Sequence, residues 1–207
     1  MRYRAITVTW EYGSGGSFIG RALAERLGWK LLDHELIEKL AQRLQVSIET
    51  CESCDERASG WASRILKAFW AGNAESFSPG APEGVVDRDS IARATATLIT
   101  EAADEGEVVI MGRGSQCILS GRADVLHVFI FSDQEEKFRR LANHHANEAE
   151  MLSAIQHHDR TRSEYLRAYY GCDWKDRGLY DLMLNSRIGN EDVLSAILSA
   201  AKPVERR

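Results

Sequence analysis

The chain has no apolar run near the roughly 18–20 residues that a membrane-spanning helix needs, so no span is expected. Its start, Met1-Arg2-Tyr3-Arg4-Ala5-Ile6-Thr7-Val8, passes from basic residues straight into a β-branched run. That start lacks the apolar core and small-residue cleavage site of a signal peptide, and a cytoplasmic protein is the expectation. Positive charge is not in excess: 26 Lys and Arg stand against 31 Asp and Glu, for a net charge of −5. This balance argues against a general nucleic-acid binder. Any anion site must then be a local device of backbone N–H groups and a few arginines. Cysteine and proline are also scarce, with four and three in 207 residues. Cys51 and Cys54 form a single C-x-x-C without a second half or suitably spaced histidines for zinc, so they read as reduced thiols. Pro79 and Pro82 crowd into residues 76–84 and mark a loop there.

With 44% hydrophobic residues, the chain has the means to bury a core, and its length suits one compact α/β domain over 1–207. Residues 4–9 are rich in β-branched residues and run toward glycines, as a buried strand does. Phe18, Ile19, Ala22, Leu23 and Leu27 then recur at helical spacing, and Gly28 lies where a C-terminal cap belongs. Trp29–Asp33, Glu107–Met111, Val125–Phe131 and Tyr180–Asn185 read as further strands. Helical patterns run over 35–44, through 47–72, from a cap at Asp89 or Ser90 to about Ala103, over 133–147, from about 148 to 169, and over 190–201. Apolar strands alternating with helices indicate a parallel sheet covered on both faces. Ligands bind such sheets at the carboxyl ends of the strands, which here are residues 10–17, 33–34 and 112–115.

The glycine turn Gly13-Ser14-Gly15-Gly16-Ser17 therefore joins a strand to the start of a helix. A helix start presents N–H groups without intrahelical acceptors and the positive end of a dipole, and glycines let the backbone curl round a phosphate. Ser17 can offer a hydroxyl to Mg²⁺, as the last residue of G-x-x-x-x-G-K-[ST] does. In that register, however, Trp10 replaces the first glycine and Gly16 replaces the lysine. The charge that normally follows the transferring phosphate must then come from arginines elsewhere or from metal.

The run from Glu11 through Gly13–Ser17 to Asp33 resembles the cytidylate kinase-like family of P-loop proteins, as do Val109–Leu119 with its Gly-Arg-Gly turn and Tyr165–Gly189. Gly16 is usual for that family, whereas an arginine commonly stands where this chain has Trp10. The resemblance implies a three-layer P-loop kinase fold, with a parallel sheet of about five strands and helices on both faces. It further implies a helical acceptor-side insertion at about 34–90 and a lid-like region at about 148–178. The implied activity is Mg²⁺-dependent phosphoryl transfer from ATP to a nucleoside monophosphate, CMP or dCMP, with no nucleic-acid or membrane partner. By the same resemblance Gly13, Ser14, Gly15, Gly16 and Ser17 hold the donor phosphates, with Ser17 on Mg²⁺. Asp33 faces the acceptor or the Mg²⁺ water shell, and Arg113 binds the acceptor phosphate. Arg162, assisted by Arg160 or Arg167, closes over the phosphates.

Each assignment has a structural competitor. Asp33 also suits the cap of the following helix, and Arg113 also suits a surface position. Arg160, Arg162 and Arg167 alternate with Asp159 and Glu164, as on a solvated helix face. Arg139 and Arg140 read as surface residues, and Trp174 and Tyr180 as packing residues. The pairs His144-His145 and His157-His158 point apart on a helix and do not suggest metal. Two other functions fit the same residues: a nucleotide-binding regulator that has lost transfer, and a kinase of another small metabolite.

Overall fold

The computed structural model describes residues 3–33 and 88–202. The helices expected over 35–44 and 47–72, the loop at 76–84, and Cys51 and Cys54 lie outside the described residues. Five strands, β1 (Ala5–Trp10), β2 (Lys30–Leu32), β3 (Val108–Met111), β4 (Val125–Phe131) and β5 (Leu182–Asn185), form one sheet in the order β2-β3-β1-β4-β5. Every neighbouring pair is parallel. The strands before β4 are laid down on one side of β1, and β4 and β5 on the other. The loops after β1, β2 and β3 therefore meet at one carboxyl edge, where the sequence places its candidate segments.

The three central strands, β3, β1 and β4, are buried on both faces because their alternate residues enter two different cores. Ile6 and Val8 of β1, Val109 of β3, and Leu126, Val128 and Ile130 of β4 pack with Ile19 and Leu23 of α1 (Gly16–Leu27). Val193, Leu194 and Ile197 of α6 (Asn190–Ala201) complete that core. On the opposite face Ala5, Val108, Ile110 and Val125 pack with Leu98, Ile99 and Ala102 of α2 (Arg88–Glu105) and with Leu119, just after the short α3 (Ser115–Ile118). The three-layer α/β architecture follows. Two further helices, α4 (Gln134–Leu141) and α5 (Glu148–Tyr170), follow β4 and cover the carboxyl edge.

Most boundaries expected from sequence lie within two residues of those observed. Three differ for local reasons. Because α2 already includes Arg88, Asp89 and Ser90 lie inside the helix rather than at its cap. The helix expected over 133–147 ends at Leu141, and a separate helix begins where the Asn147 side chain accepts from the Glu150 N–H, an N-cap geometry. The last strand starts at Leu182 rather than Tyr180, whose hydroxyl instead donates to the Trp174 carbonyl at 2.6 Å.

A polar layer crosses the second core. His127 Nε2 lies 3.3 Å from the Leu119 carbonyl, and its Nδ1 lies 2.8 Å from Thr7 Oγ1. The consistent tautomer has Nε2 donating to the carbonyl and Nδ1 accepting from the hydroxyl. Burial holds the His127 imidazole below its ordinary value, against the opposing pull of the Asp181 carboxylate. As pH falls through about 6.5, the unfolded chain takes up this proton before the folded one, so the stability associated with neutral His127 is complete above that pH and lost below it. We expect the urea midpoint to fall between pH 7.5 and 5.5, and His127→Gln to have a shallower dependence. Parallel slopes would show that His127 does not carry the effect.

Candidate functional site

The glycine turn begins where β1 ends. Glu11 N–H still donates to the Ile130 carbonyl of β4 at 3.0 Å, and Ser14 N–H folds back onto the Glu11 carbonyl at 3.1 Å. Ser14 is fully buried and its hydroxyl donates to the Ile130 carbonyl at 3.2 Å, which ties the turn to β4. Gly15 is the N-cap of α1, with φ 80°. The N–H groups of Gly16, Ser17 and Phe18 are therefore first-turn donors without intrahelical acceptors, pointing out of the carboxyl edge. Ser17 and Phe18 are exposed.

Two of the glycines have another side chain pressed against them, and Gly15 also stands at a φ that favours glycine. A Cβ on Gly15 would lie 2.1 Å from Arg140 Nη1, so the guanidinium of α4 rests directly on the turn. A Cβ on Gly16 would lie 2.3 Å from Trp10 Cβ and 2.4 Å from its Cγ. These are atoms at the root of the indole, which cannot swing aside. Trp10 and Gly16, the two departures from the phosphate-loop pattern, are thus complementary: the indole occupies the space into which a side chain at position 16 would emerge.

The turn is covered by α5. Asp159 Oδ1 accepts from the Tyr12 N–H at 2.9 Å, and the His158 ring stacks on Tyr12 with centroids 4.2 Å apart. Arg162 Nη1 donates to the Trp10 carbonyl, and the Arg162 guanidinium lies between two indoles, 5.4 Å from the Trp10 ring and 5.0 Å from the Trp174 ring. Burial pulls Arg162 below its ordinary value and raises the Asp159 carboxyl, each opposed by the other's charge. Trp174 is almost fully buried and meets Phe129 edge-on at 5.6 Å, so it packs as well as stacks.

Of the three helix arginines that the sequence singles out, the structure brings Arg162 to the glycine turn. Arg160 is 81% exposed and pairs with Glu164 at 2.7 Å one turn along its own helix, and Arg167 is exposed. Arg113 follows β3 and stands in the left-handed region at φ 54°, which a non-glycine residue adopts at a cost of order 1 kcal/mol. Its guanidinium lies 6.0 Å from the Tyr165 ring of α5. Asp33 lies just after β2, 3.8 Å from Arg21 of α1. Because β3 separates β2 from β1, Asp33, Arg113 and the glycine turn form a row along the carboxyl edge.

Sequence reasoning missed several charged neighbours of the turn. Arg140, read as a surface residue, is only 19% exposed and is held by Glu136, the Asn190 side chain and the Ser186 carbonyl. Arg139 beside it does face solvent. Glu11 and Lys137 of α4 form an ion pair at 2.7 Å with both side chains largely buried. The available signal was topological: β4 lies beside β1, so the first turns of the helix after β4 fall within reach of the loop after β1.

A model described as the cytidylate kinase-like family matches residues 5–188. The chain is similar to a cytidylate kinase of Archaeoglobus fulgidus, 28% identical over 202 residues, covering 95% of this chain and 94% of that protein. A cytidylate kinase of Methanopyrus kandleri is 29% identical over 110 residues, 49% of this chain and 57% of that one. Among solved structures, an uncharacterized protein from Eubacterium ventriosum superposes with a TM-score of 0.68 at 23% identity, covering 97% of this chain and 98% of its own. That likeness is one of fold. No helix among the described residues is long and apolar enough to cross a membrane.

Proposed function

Because the chain belongs to the cytidylate kinase-like family, we propose that it transfers the γ-phosphoryl group of ATP to a nucleoside monophosphate, CMP or dCMP. One observation carries the reading: the open first turn of α1 and the positive-φ Arg113 turn lie side by side at the carboxyl edge of a parallel sheet. A donor polyphosphate and an acceptor phosphate thereby have adjoining places.

The residues divide the work by chemistry. Backbone N–H groups of Gly13–Ser17 cradle the donor phosphates, with Ser14 anchoring the loop through the Ile130 carbonyl. Arg113 binds the acceptor phosphate with its planar fork. Arg162, held at the turn by Trp10 and Trp174, adds positive charge beside the transferring group. The donor set fits Mg²⁺, which takes few protein oxygens when phosphates and waters supply the rest: Ser17 is exposed at the helix start and Asp33 lies at the same edge. Bound there, Mg²⁺ would neutralise charge on the polyphosphate. The α5 cover, the lid-like part of 148–178, excludes water that would otherwise hydrolyse the donor.

A second reading, nucleotide binding without transfer, is favoured by the indole that closes position 16. The two separate in one experiment. The kinase reading expects ATP with Mg²⁺ to raise the melting temperature and CMP to elicit ADP release in a coupled assay. Stabilisation with no release for any monophosphate would establish the regulator instead.

A further inference from the structure

Position 16 is closed to any side chain by the Trp10 indole, yet a lysine does reach the glycine turn from elsewhere. Lys137 comes from α4, and its Cβ lies 3.2 Å from the place a Cβ on Gly13 would take, so its stem crosses the opening residue of the turn. Its Nζ meets Glu11 Oε2 at 2.7 Å, with the Lys137 side chain 10% exposed. Glu11 Oε1 faces a second ammonium, Lys175 Nζ, at 3.9 Å. The other cations at the turn are differently engaged: Arg140 is shared among Glu136, Asn190 and Ser186, and Arg162 among Trp10, Asp159 and two indoles. Lys175 is mostly exposed.

Resting on the nucleotide-binding reading above, we propose that Lys137 is the phosphate-binding ammonium of this chain, replacing in space the lysine absent at position 16, and that Glu11 holds it at the turn until the polyphosphate arrives. A buried ammonium needs a counter-charge at all times, because an unpaired one is strongly penalised. Glu11 provides it in the empty site. An arriving phosphate offers the same ammonium a charge-assisted hydrogen bond of at least equal strength, so the lysine exchanges one anion for another without being stripped of both. Lysine suits the task as a compact point charge on a flexible stem. The Glu11 carboxylate, relieved of Lys137, retains Lys175 beside it.

The full chain is titrated with ATP, ADP and adenosine in the presence of Mg²⁺. Failure of the unaltered protein to bind any of them would defeat the nucleotide-binding reading itself. Given binding, Lys137→Met is expected to weaken ATP and ADP at least about tenfold, the scale of one charged hydrogen bond, and to leave adenosine unchanged. Lys137→Arg should recover most of the loss. Glu11→Gln frees the lysine and is expected to tighten ATP severalfold. A purely structural ion pair predicts instead that Lys137→Met and Glu11→Gln lose stability and ATP affinity together, and that result would overturn the proposal. So would unchanged ATP affinity in Lys137→Met. If Lys137→Met folds poorly, the sign of the Glu11→Gln effect decides: tighter ATP binding supports the exchange, weaker binding refutes it.

Discussion

Arg113→Ala is expected to lower kcat/KM for the acceptor monophosphate at least about 100-fold, the usual scale for removing one charge-stabilising group from a transferring phosphoryl. The loss should not come from unfolding, and the backbone provides a way to show it. Arg113 occupies φ 54° between Gly112 and Gly114, both also at positive φ. Glycine adopts that conformation without a Cβ penalty, so Arg113→Gly should be as stable as the parent or more so while losing the same activity. Arg113→Lys retains charge but not the bidentate fork, and its activity should fall between those of the parent and Arg113→Ala. Melting temperatures measured alongside ADP release separate the effects. A parent-like rate in both Arg113→Ala and Arg113→Gly would remove Arg113 from the acceptor site.

Gly16→Lys is expected to damage the protein even though it restores the residue of the common phosphate loop. The new Cβ would lie far inside van der Waals contact with the Trp10 Cβ and Cγ, 2.3 and 2.4 Å away. Overpacking of that kind costs about 1–3 kcal/mol and displaces backbone. Here the displaced backbone carries the N–H groups of the turn, so ATP binding should weaken at least about tenfold along with the melting temperature. Trp10→Gly/Gly16→Lys removes the obstruction and completes the G-x-x-x-x-G-K-S pattern, and it should bind ATP far better than Gly16→Lys alone. The coupling between the two sites is the quantity to measure, because contacting residues are non-additive where distant ones are not. Additive effects would mean that the indole and position 16 do not compete. Trp10→Gly by itself also withdraws one of the two rings against Arg162, so this single variant is a necessary corner of the cycle.

The chain's periodicities were enough to recover the layers. Val125–Phe131 was legible to the residue because a strand buried on both faces reads as a nearly continuous apolar run, broken here only by His127. The glycine turn was legible because a strand, a glycine cluster and a helical pattern succeed one another between Arg4 and Gly28. The break of 133–147 at Leu141 was hidden, since an Asn147 cap competes with a helical pattern that continues past it.

The local chain also determined that phosphate-loop chemistry would be incomplete, through Trp10 and Gly16 alone. What fills the gap belongs to the tertiary structure. Lys137, Arg140, Asp159 and Arg162 reach the turn from more than a hundred residues away because β4 pairs beside β1 and the helices after β4 fold over their shared edge. Sequence spacing carries no record of such an approach. It appears only once parallel pairing has set which loops are neighbours and burial has required each charge to find a partner.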